Sequence, residues 1–277
     1  MKTINHNLNI LPEAQRELWN NLAPCKDLGF VLYGGTAISL YFGHRISVDF
    51  DFFSDIELDT RQEEKLLQAL PFLENSEIIQ NELNTRTFST ESKVKLSFFG
   101  GLNFGRIDEP SLTNDNVLQV ASLYDLLGIK LKVIMQRAEV KDYKDIAIML
   151  DSGMSLEKGL ACSSALYGNQ FPPLESIRAL TYFQDGNLNL LTNKEKNILI
   201  SAVNKVQIQQ LPKIEILSYS LGTEVLKASK KEAIVNAREK MGENSFVVNA
   251  KAEKIYKGEI ITKSNENNID IDDEIEI

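Results

Sequence analysis

Residues 33–53 read YGGTAISLYFGHRISVDFDFF, and this stretch decides the predicted fold. It continues the apolar run FVLY of residues 30–33, which indicates a short buried strand ended by two glycines. The segment TAISLYF (36–42) is typical of a helix opened at a glycine-rich turn. The segment SVDFDFF (47–53) alternates along its length, which predicts a second strand. The predicted order is therefore strand, glycine turn, helix and strand.

The second of these strands carries two acids. Side chains alternate along a strand, so Asp49 and Asp51 should project from one face, and Val48, Phe50 and Phe52 from the other, into a core. Two carboxylates on one face repel each other and lose hydration, and a divalent cation relieves both costs. Mg²⁺ typically takes one or two carboxylates together with substrate phosphates. The spacing therefore predicts a metal site.

The glycine turn completes this prediction. At a turn that opens a helix, Gly34 and Gly35 can bring backbone N–H groups close to a phosphate, and Thr36 adds a hydroxyl. Glycine pairs and Asp-x-Asp patterns are each common, and this one could be an exposed strand end. The functional interpretation is favoured because 13 residues separate Gly35 from Asp49 in the predicted order.

A second group of candidates lies on two later helices. Ser122 is a suitable N-cap for a helix over residues 122–137, where Lys130 and Arg137 stand two turns apart on nearly one face. The rest of this helix is largely apolar, so its cations need an anionic partner, unless they form an ordinary solvent stripe. On the next helix Asp142 borders the apolar stripe, and Asp145 lies further round.

These two groups carry a resemblance. The segment GGTAISLYFGHRISVDFDFF resembles the first motif of the polymerase-β-like nucleotidyltransferases, and it is most similar to that of the AbiEii/AbiGii-type toxin family. The segment DLLGIKLKVIMQRAEVKDYKDI (125–146) resembles the later motifs of the same family. The resemblance covers about residues 30 to 150. It implies an α+β fold, a mixed sheet flanked by helices, followed by a mainly helical C-terminal domain.

The resemblance also implies roles for the residues. The glycine turn would hold a triphosphate, Asp49 and Asp51 would bind Mg²⁺ or Mn²⁺, and Lys130 would contact the phosphates with Arg137 in support. Asp142 or Asp145 would complete the site. Asp142 is preferred because it should lie nearer the interior, where it would orient or deprotonate the acceptor hydroxyl.

Two residues of the first motif keep open roles. Arg45 could reach a phosphate or pair with Asp49, whereas His44 is interpreted as a packed imidazole. One departure from the superfamily is visible on the strand-like segment KVKLSFFGG (93–101). A third carboxylate normally stands on this strand and helps to activate the attacking hydroxyl, but here the strand offers Ser97 and no acid.

The composition sets the wider frame. We expect a nucleotidyltransferase domain over 1–153, a helical domain over 154–242, and a short β-like segment with an acidic, disordered tail over 243–277. The net charge is −9, but residues 265–277 carry six acids and no base, which leaves about −3 for the rest. No signal sequence or membrane span is recognised, and Cys25 and Cys162 indicate free thiols in a reducing cytoplasm.

The predicted function is therefore that of a cytoplasmic, Mg²⁺-dependent nucleotidyltransferase with an NTP as substrate. The family resemblance implies the toxin of a toxin–antitoxin system of the abortive-infection type, active in phage defence, with a cognate antitoxin as partner. It also makes a tRNA 3′ end a candidate acceptor. The alternative is a catalytically degenerate module that binds a nucleotide and acts through protein contacts, which Ser97 in place of an acid favours.

Overall fold

The structure is a computed structural model that describes residues 2–102, 105–217, 219–221 and 224–226. Residues Met1–Ile216 form one compact unit, and Leu217–Ile277 form a second. All of the residues predicted to form the site belong to the first unit.

The described residues of the first unit form an eight-stranded mixed sheet. The strands are β1 (Thr3–Ile4), β2 (Val31–Tyr33), β3 (Asp49–Phe53), β4 (Glu77–Glu82), β5 (Thr85–Ser89), β6 (Lys95–Phe99), β7 (Ser111–Thr113) and β8 (Gln119–Val120). Their order across the sheet is β1-β7-β8-β2-β3-β6-β5-β4. Strand β3 lies inside the sheet, antiparallel to β2 and parallel to β6. The predicted mixed sheet is confirmed.

The helices follow the predicted pattern where the structure describes them. They are α1 (Glu13–Leu18), α2 (Pro24–Asp27), α3 (Gly34–Phe42), α4 (Thr60–Ala69), α5 (Leu123–Val133), α6 (Val140–Asp151), α7 (Leu156–Tyr167), α8 (Pro173–Thr181) and α9 (Asn193–Val203). Helix α3 begins directly at the glycine pair. Ser122 caps α5 as predicted, because its Oγ accepts a hydrogen bond from the Asp125 N–H at 3.2 Å.

The two faces of β3 differ as the alternation predicts. Phe50 and Phe52 are fully buried, and the ring of Phe52 stacks on that of Phe98 from β6 at a centroid distance of 5.2 Å. The prediction is wrong for Val48, whose side chain is 53% exposed. Val48 lies one residue before β3, so the alternation of the strand does not yet govern it. The core face of β3 is therefore shorter than predicted.

Helices α7 and α8, which follow residue 153, pack directly on α5. The Oγ of Ser163 on α7 donates to the Gly128 carbonyl at 2.8 Å, and the Oγ of Ser176 on α8 donates to the Leu131 carbonyl at 2.9 Å. The predicted helical character is confirmed for α7 to α9, and the domain boundary at residue 153 stays a prediction. Within the described ranges, no helix is both long and apolar enough to cross a bilayer.

The second unit is described only as an antiparallel pair, β9 (Tyr219–Leu221) and β10 (Glu224–Leu226). These strands fall in a stretch where the sequence predicts helix. The β-like segment and acidic tail predicted for residues 243–277 lie outside the described residues.

Candidate active site

The glycine turn at the start of α3 lies against two charged side chains. Gly34 has φ +72°, and a Cβ on it would stand 2.5 Å from Oδ2 of Asp51. A Cβ on Gly35 would stand 2.1 Å from Nη2 of Arg45. A Cβ at either glycine would therefore displace the side chain that faces it, and Gly34 also has a left-handed backbone that favours glycine. The turn brings the N-terminus of α3 next to the Asp51 carboxylate.

Asp49 and Asp51 share one face of β3, as predicted. In the sheet, Asp51 stands opposite Tyr33 of β2 and in register with Ser97 of β6. Both aspartates are half-buried. Neither carboxylate forms an ion pair or hydrogen bond with a side chain in the part of the chain that the structure describes. The pair is thus left with negative charge that no neighbouring cation directly contacts.

The electrostatics of Asp51 reflect this arrangement. Burial raises the pKa of Asp51 above the ordinary value, and the charge of Asp49 raises it further. Three more distant cations, Lys95, Lys130 and Lys141, lower it in part. Since the net pKa is raised, the ionised pair is less stable here than in water, and a cation bound between the carboxylates would relieve this.

Thr36 has a different position from the one predicted. Its side chain is buried, and its hydroxyl donates to Oγ of Ser47 at 2.7 Å and lies close to the backbone carbonyl of Asp49. This hydroxyl faces the protein and ties α3 to the start of β3. Thr36 therefore contributes to the site by fixing the strand that carries the two aspartates.

Asp142 is completely buried and bound by two cations. Its Oδ1 accepts from Nζ of Lys130 at 2.6 Å and from Nη2 of Arg137 at 3.3 Å, and its Oδ2 accepts from Nε of Arg137 at 2.8 Å. The inference that these two cations need an anionic partner is confirmed. The helix predicted over residues 122–137 is too long, because α5 ends at Val133 and Arg137 lies beyond it. Lys130 is only 6% exposed, whereas the Arg137 side chain keeps 47% of its surface exposed.

Asp145 is the second fully buried carboxylate and has more partners. Its Oδ1 accepts from Nε of Arg45 at 2.7 Å and lies 2.8 Å from Nε2 of His44. Its Oδ2 lies 2.8 Å from both Nη2 of Arg45 and Nζ of Lys130. Burial alone would raise the pKa of Asp145, but the bonds from His44 and Arg45 and the charge of Lys130 hold it well below the usual range.

The structure excludes one of the two alternatives left open for Arg45. Arg45 pairs with Asp145, a residue 100 positions away, and not with Asp49. His44 is packed at the edge of Phe42 and contacts Asp145, in keeping with the packed imidazole that was predicted. The expectation that Asp142 lies nearer the interior than Asp145 is wrong, because both are fully buried.

Sequence reasoning gave Asp145 too small a part. It joins Lys130 to Arg45 and so connects the glycine-turn motif with the helical motifs. The pattern Lys-Asp-x-x-Asp at residues 141–145 was the available signal, because residues three apart lie close together on a helix.

Ser97 stands in register with Asp51, where the superfamily resemblance leads us to look for a third acid. The residue is 2% exposed, and its Oγ accepts from Oγ1 of Thr87 at 3.3 Å. The absence of an acid at this point of β6 is therefore a feature of the folded site as well as of the sequence.

The residues present fit a metal ion of a particular kind. No group of three or more His, Cys, Asp and Glu side chains is placed to hold a metal within the described ranges. Asp49 and Asp51 supply two carboxylates, which suits Mg²⁺ because that ion takes one or two carboxylates and completes its shell with water and phosphate oxygens. The site fits an ion that arrives with a nucleotide better than one held by the protein alone.

Several known proteins are similar to this chain in sequence or structure. An uncharacterised protein of Aquifex aeolicus is 30% identical over 186 residues, which cover 63% of this chain and 84% of that protein. A crystal structure from H. pylori, assigned as a nucleotidyltransferase, matches with a TM-score of 0.44 at 19% identity over 74% of this chain and 97% of that one. MenT4, a nucleotidyltransferase toxin of Mycobacterium tuberculosis, matches with a TM-score of 0.45 at 11% identity over 70% of this chain and 84% of that one. Residues 22–170 match the family of the nucleotidyl transferase AbiEii toxin of type IV toxin–antitoxin systems, and the chain belongs to this family.

Proposed function

We propose that this protein transfers a nucleotidyl group from an NTP to an acceptor hydroxyl and releases pyrophosphate, as the toxin of a toxin–antitoxin system. The acceptor oxygen forms a bond to the α-phosphorus, the bond from that phosphorus to the pyrophosphate breaks, and the hydroxyl proton passes to solvent. Membership of the AbiEii toxin family supports the reaction class.

The observation that carries the proposal is the charge arrangement of the site. Asp49 and Asp51 have no bonded cation among the described side chains, yet Lys130 and Arg137 are held nearby by Asp142. A Mg²⁺–triphosphate complex would complement both groups. Its cation suits the carboxylates of Asp49 and Asp51, and its phosphates suit the basic side chains of Lys130 and Arg137. A purely structural ion-pair network would instead join the two groups directly.

Each residue has a stated role in this proposal. Asp49 and Asp51 hold Mg²⁺ or Mn²⁺, which when bound neutralises phosphate charge and polarises the transferring phosphoryl group. The N–H groups at Gly34 and Gly35 face the phosphates at the start of α3. Arg137, with its exposed guanidinium, binds the triphosphate.

The two buried acids act on the cations in this proposal. Lys130 uses its ammonium on Asp142 and Asp145, which leaves one of its three donors for a phosphate. Asp142 was predicted to orient or deprotonate the acceptor hydroxyl, and its contacts favour a positioning role over proton transfer. Both of its oxygens already accept hydrogen bonds from Lys130 or Arg137, and the residue is fully buried.

The wider biological setting follows from the family. We propose an antitoxin partner, a cytoplasmic site of action and a part in abortive infection as a phage defence. The acceptor we propose is the 3′ end of an RNA, with tRNA as the first candidate.

A decisive experiment incubates the purified protein with NTPs labelled at the α-phosphate, Mg²⁺ and total RNA, and follows the label. Asp49→Asn and Asp51→Asn should each lower the rate by about 10²-fold or more, because each removes half of the metal site. Asp27→Asn, at the exposed C-terminal end of helix α2, is the matched control and should keep the wild-type rate.

The second candidate is a module that binds the nucleotide without catalysis, which Ser97 in place of an acid favours. NTP binding by the wild-type protein with no label in RNA or protein would support this candidate and contradict the proposed transfer.

A further inference from the structure

A lysine stands on the same face of the sheet as the two aspartates. In the parallel pair of β3 and β6, Lys95 is in register with Asp49, and Ser97 is in register with Asp51. Residues in register on neighbouring strands project from the same face, and the strands lie about 4.8 Å apart. Lys95 therefore emerges beside Asp49, on the side of β3 opposite to β2 and the glycine turn.

Lys95 differs from the other cations near the site. It is exposed, and it forms no ion pair or hydrogen bond with a side chain in the ranges that the structure describes. Lys130 and Arg137, in contrast, are bound to Asp142. Lys95 nonetheless stands beside the two aspartates of β3, in register with Asp49. Lys95 is thus a cation left available to a ligand.

Its position on the sheet distinguishes Lys95 from an ordinary surface lysine. Lysines often protect the edge strands of a sheet against pairing with other chains. Strand β6, however, lies between β3 and β5 and has no open edge. Protection of an edge therefore does not explain a lysine here.

Ser97, two residues further along β6, indicates on which side of the reacting phosphorus Lys95 would act. Strand β6 is the one on which a third carboxylate would help to bind metal and activate the attacking hydroxyl, and it carries Ser97 instead. Without that acid, the site has one carboxylate fewer to bind a second metal ion. It therefore lacks part of the positive charge that such an ion would bring to the acceptor side. A lysine side chain extends about 6 Å from its Cα and can reach a phosphoryl group bound at Asp49.

We propose that Lys95 is a catalytic residue that contacts the transferring phosphoryl group from the acceptor side and supplies positive charge there in place of a second metal ion. The inference rests on the proposed nucleotidyl transfer. In that step, charge grows on the phosphoryl oxygens as the acceptor oxygen bonds to phosphorus and pyrophosphate leaves. The ammonium of Lys95 stabilises this charge without taking up the proton, which passes to solvent.

Lys95→Met tests this with two readouts, the turnover rate in saturating NTP and the dissociation constant for NTP. The dissociation constant is measured by equilibrium titration in Mg²⁺ and again in EDTA. We expect turnover to fall about 100-fold, as on removal of one group that stabilises transition-state charge. The dissociation constants should change by less than about threefold, since ground-state binding relies on the other cations.

Two further variants separate charge from other effects. Lys95→Arg keeps the positive charge, and its turnover rate should be at least about tenfold higher than that of Lys95→Met. Lys93→Gln removes a charge from the exposed turn before β6 and should leave turnover and affinity unchanged. The thermal unfolding midpoint of Lys95→Met should equal that of the wild type, because the side chain is exposed.

Unchanged turnover in Lys95→Met would overturn the inference. If the dissociation constant rose strongly at the same time, Lys95 would instead contact the triphosphate in the ground state. Failure of the proposed function itself is distinguishable, because the wild-type protein would then transfer no label at all.

Discussion

Two pairs of aspartates face the same site, and they are built in opposite ways. Asp49 and Asp51 lie on a strand, are half-buried, and have no bonded cation among the described side chains. Asp142 and Asp145 lie one turn apart on α6, are fully buried, and contact several cations. The pKa of Asp51 is raised, first by burial and then by Asp49, whereas that of Asp145 is held low despite burial.

The difference shows how a protein can use the same side chain for binding and for support. The pair on α6 is neutralised within the protein, and it fixes Lys130 and Arg45 in place. The pair on β3 keeps its charge for a ligand. Removing an acid from the α6 pair should therefore cost stability. Removing one from the β3 pair should cost activity without a loss of stability.

The largest expected effect on stability is that of Asp145→Asn. The change leaves Arg45 short of its anion and weakens the hold on Lys130, so we expect the free energy of unfolding to fall by about 3–5 kcal/mol. Urea denaturation at pH 7 measures this. Asp151→Asn is the control at the exposed end of the same helix, where loss of the ion pair with Lys194 should cost less than about 1 kcal/mol. Equal losses in the two variants would contradict the contrast between the pairs.

A smaller effect is expected for Gly34→Ala, which combines backbone strain with a clash. At φ +72° an alanine costs about 1–2 kcal/mol, and its Cβ would also displace the Asp51 carboxylate. Gly153→Ala provides the match, since Gly153 has φ +96° with no atom within 4 Å of a built Cβ. Both variants should lose stability in thermal unfolding, but only Gly34→Ala should lose transfer activity. Full activity in Gly34→Ala would show that the position of Asp51 is unimportant.

The smallest expected effect is a gain in the free energy of unfolding, and its size depends on pH. The raised pKa of Asp51 means that the folded, metal-free protein loses stability as pH rises from the ordinary Asp pKa of 3.8 through the higher folded value. Asp51→Asn removes this loss and should stabilise the metal-free protein at pH 7 by about 0.5 kcal/mol. The difference in stability between Asp51→Asn and the wild type should disappear as pH falls through the folded pKa of Asp51.

Asp145→Asn should give the reverse profile, because the pKa of Asp145 is lowered on folding. The stability that Asp145 contributes is complete above the ordinary pKa and is lost only as pH falls below it, toward the folded value. Unfolding curves of both variants between about pH 2 and pH 7 measure these profiles, because the loss for Asp145 lies below its ordinary pKa and that for Asp51 lies above it. If the stability difference between Asp51→Asn and the wild type stayed constant over this range, it would contradict the raised pKa of Asp51.

The local half of the site was predictable from the sequence. Alternation placed Asp49 and Asp51 on one face of a strand, and the glycine pair opened the helix, because both features depend only on the period of the backbone. The need of Lys130 for an anion also followed from the apolar character of its helix. These are short-range consequences of residue type and spacing.

The remainder depends on contacts across the chain. The pairing of Arg45 with Asp145 joins residues 100 positions apart, and a single sequence gives no register for such a contact. The Thr36 hydroxyl was predicted to face phosphate, but the packing of α3 on β3 turns it toward Ser47. Val48 shows the limit of alternation, which holds only within the paired part of the strand.

The most direct test of the contrast between the two pairs is calorimetric titration of a non-hydrolysable NTP analogue into the protein, once with Mg²⁺ in both solutions and once with EDTA in both. The wild type and Asp27→Asn should bind the analogue more tightly in Mg²⁺ than in EDTA. The double variant Asp49→Asn/Asp51→Asn, folded and at least as stable as the wild type, should lose this dependence on Mg²⁺. If the double variant kept the full effect of Mg²⁺ on affinity, the strand pair would not be the metal site.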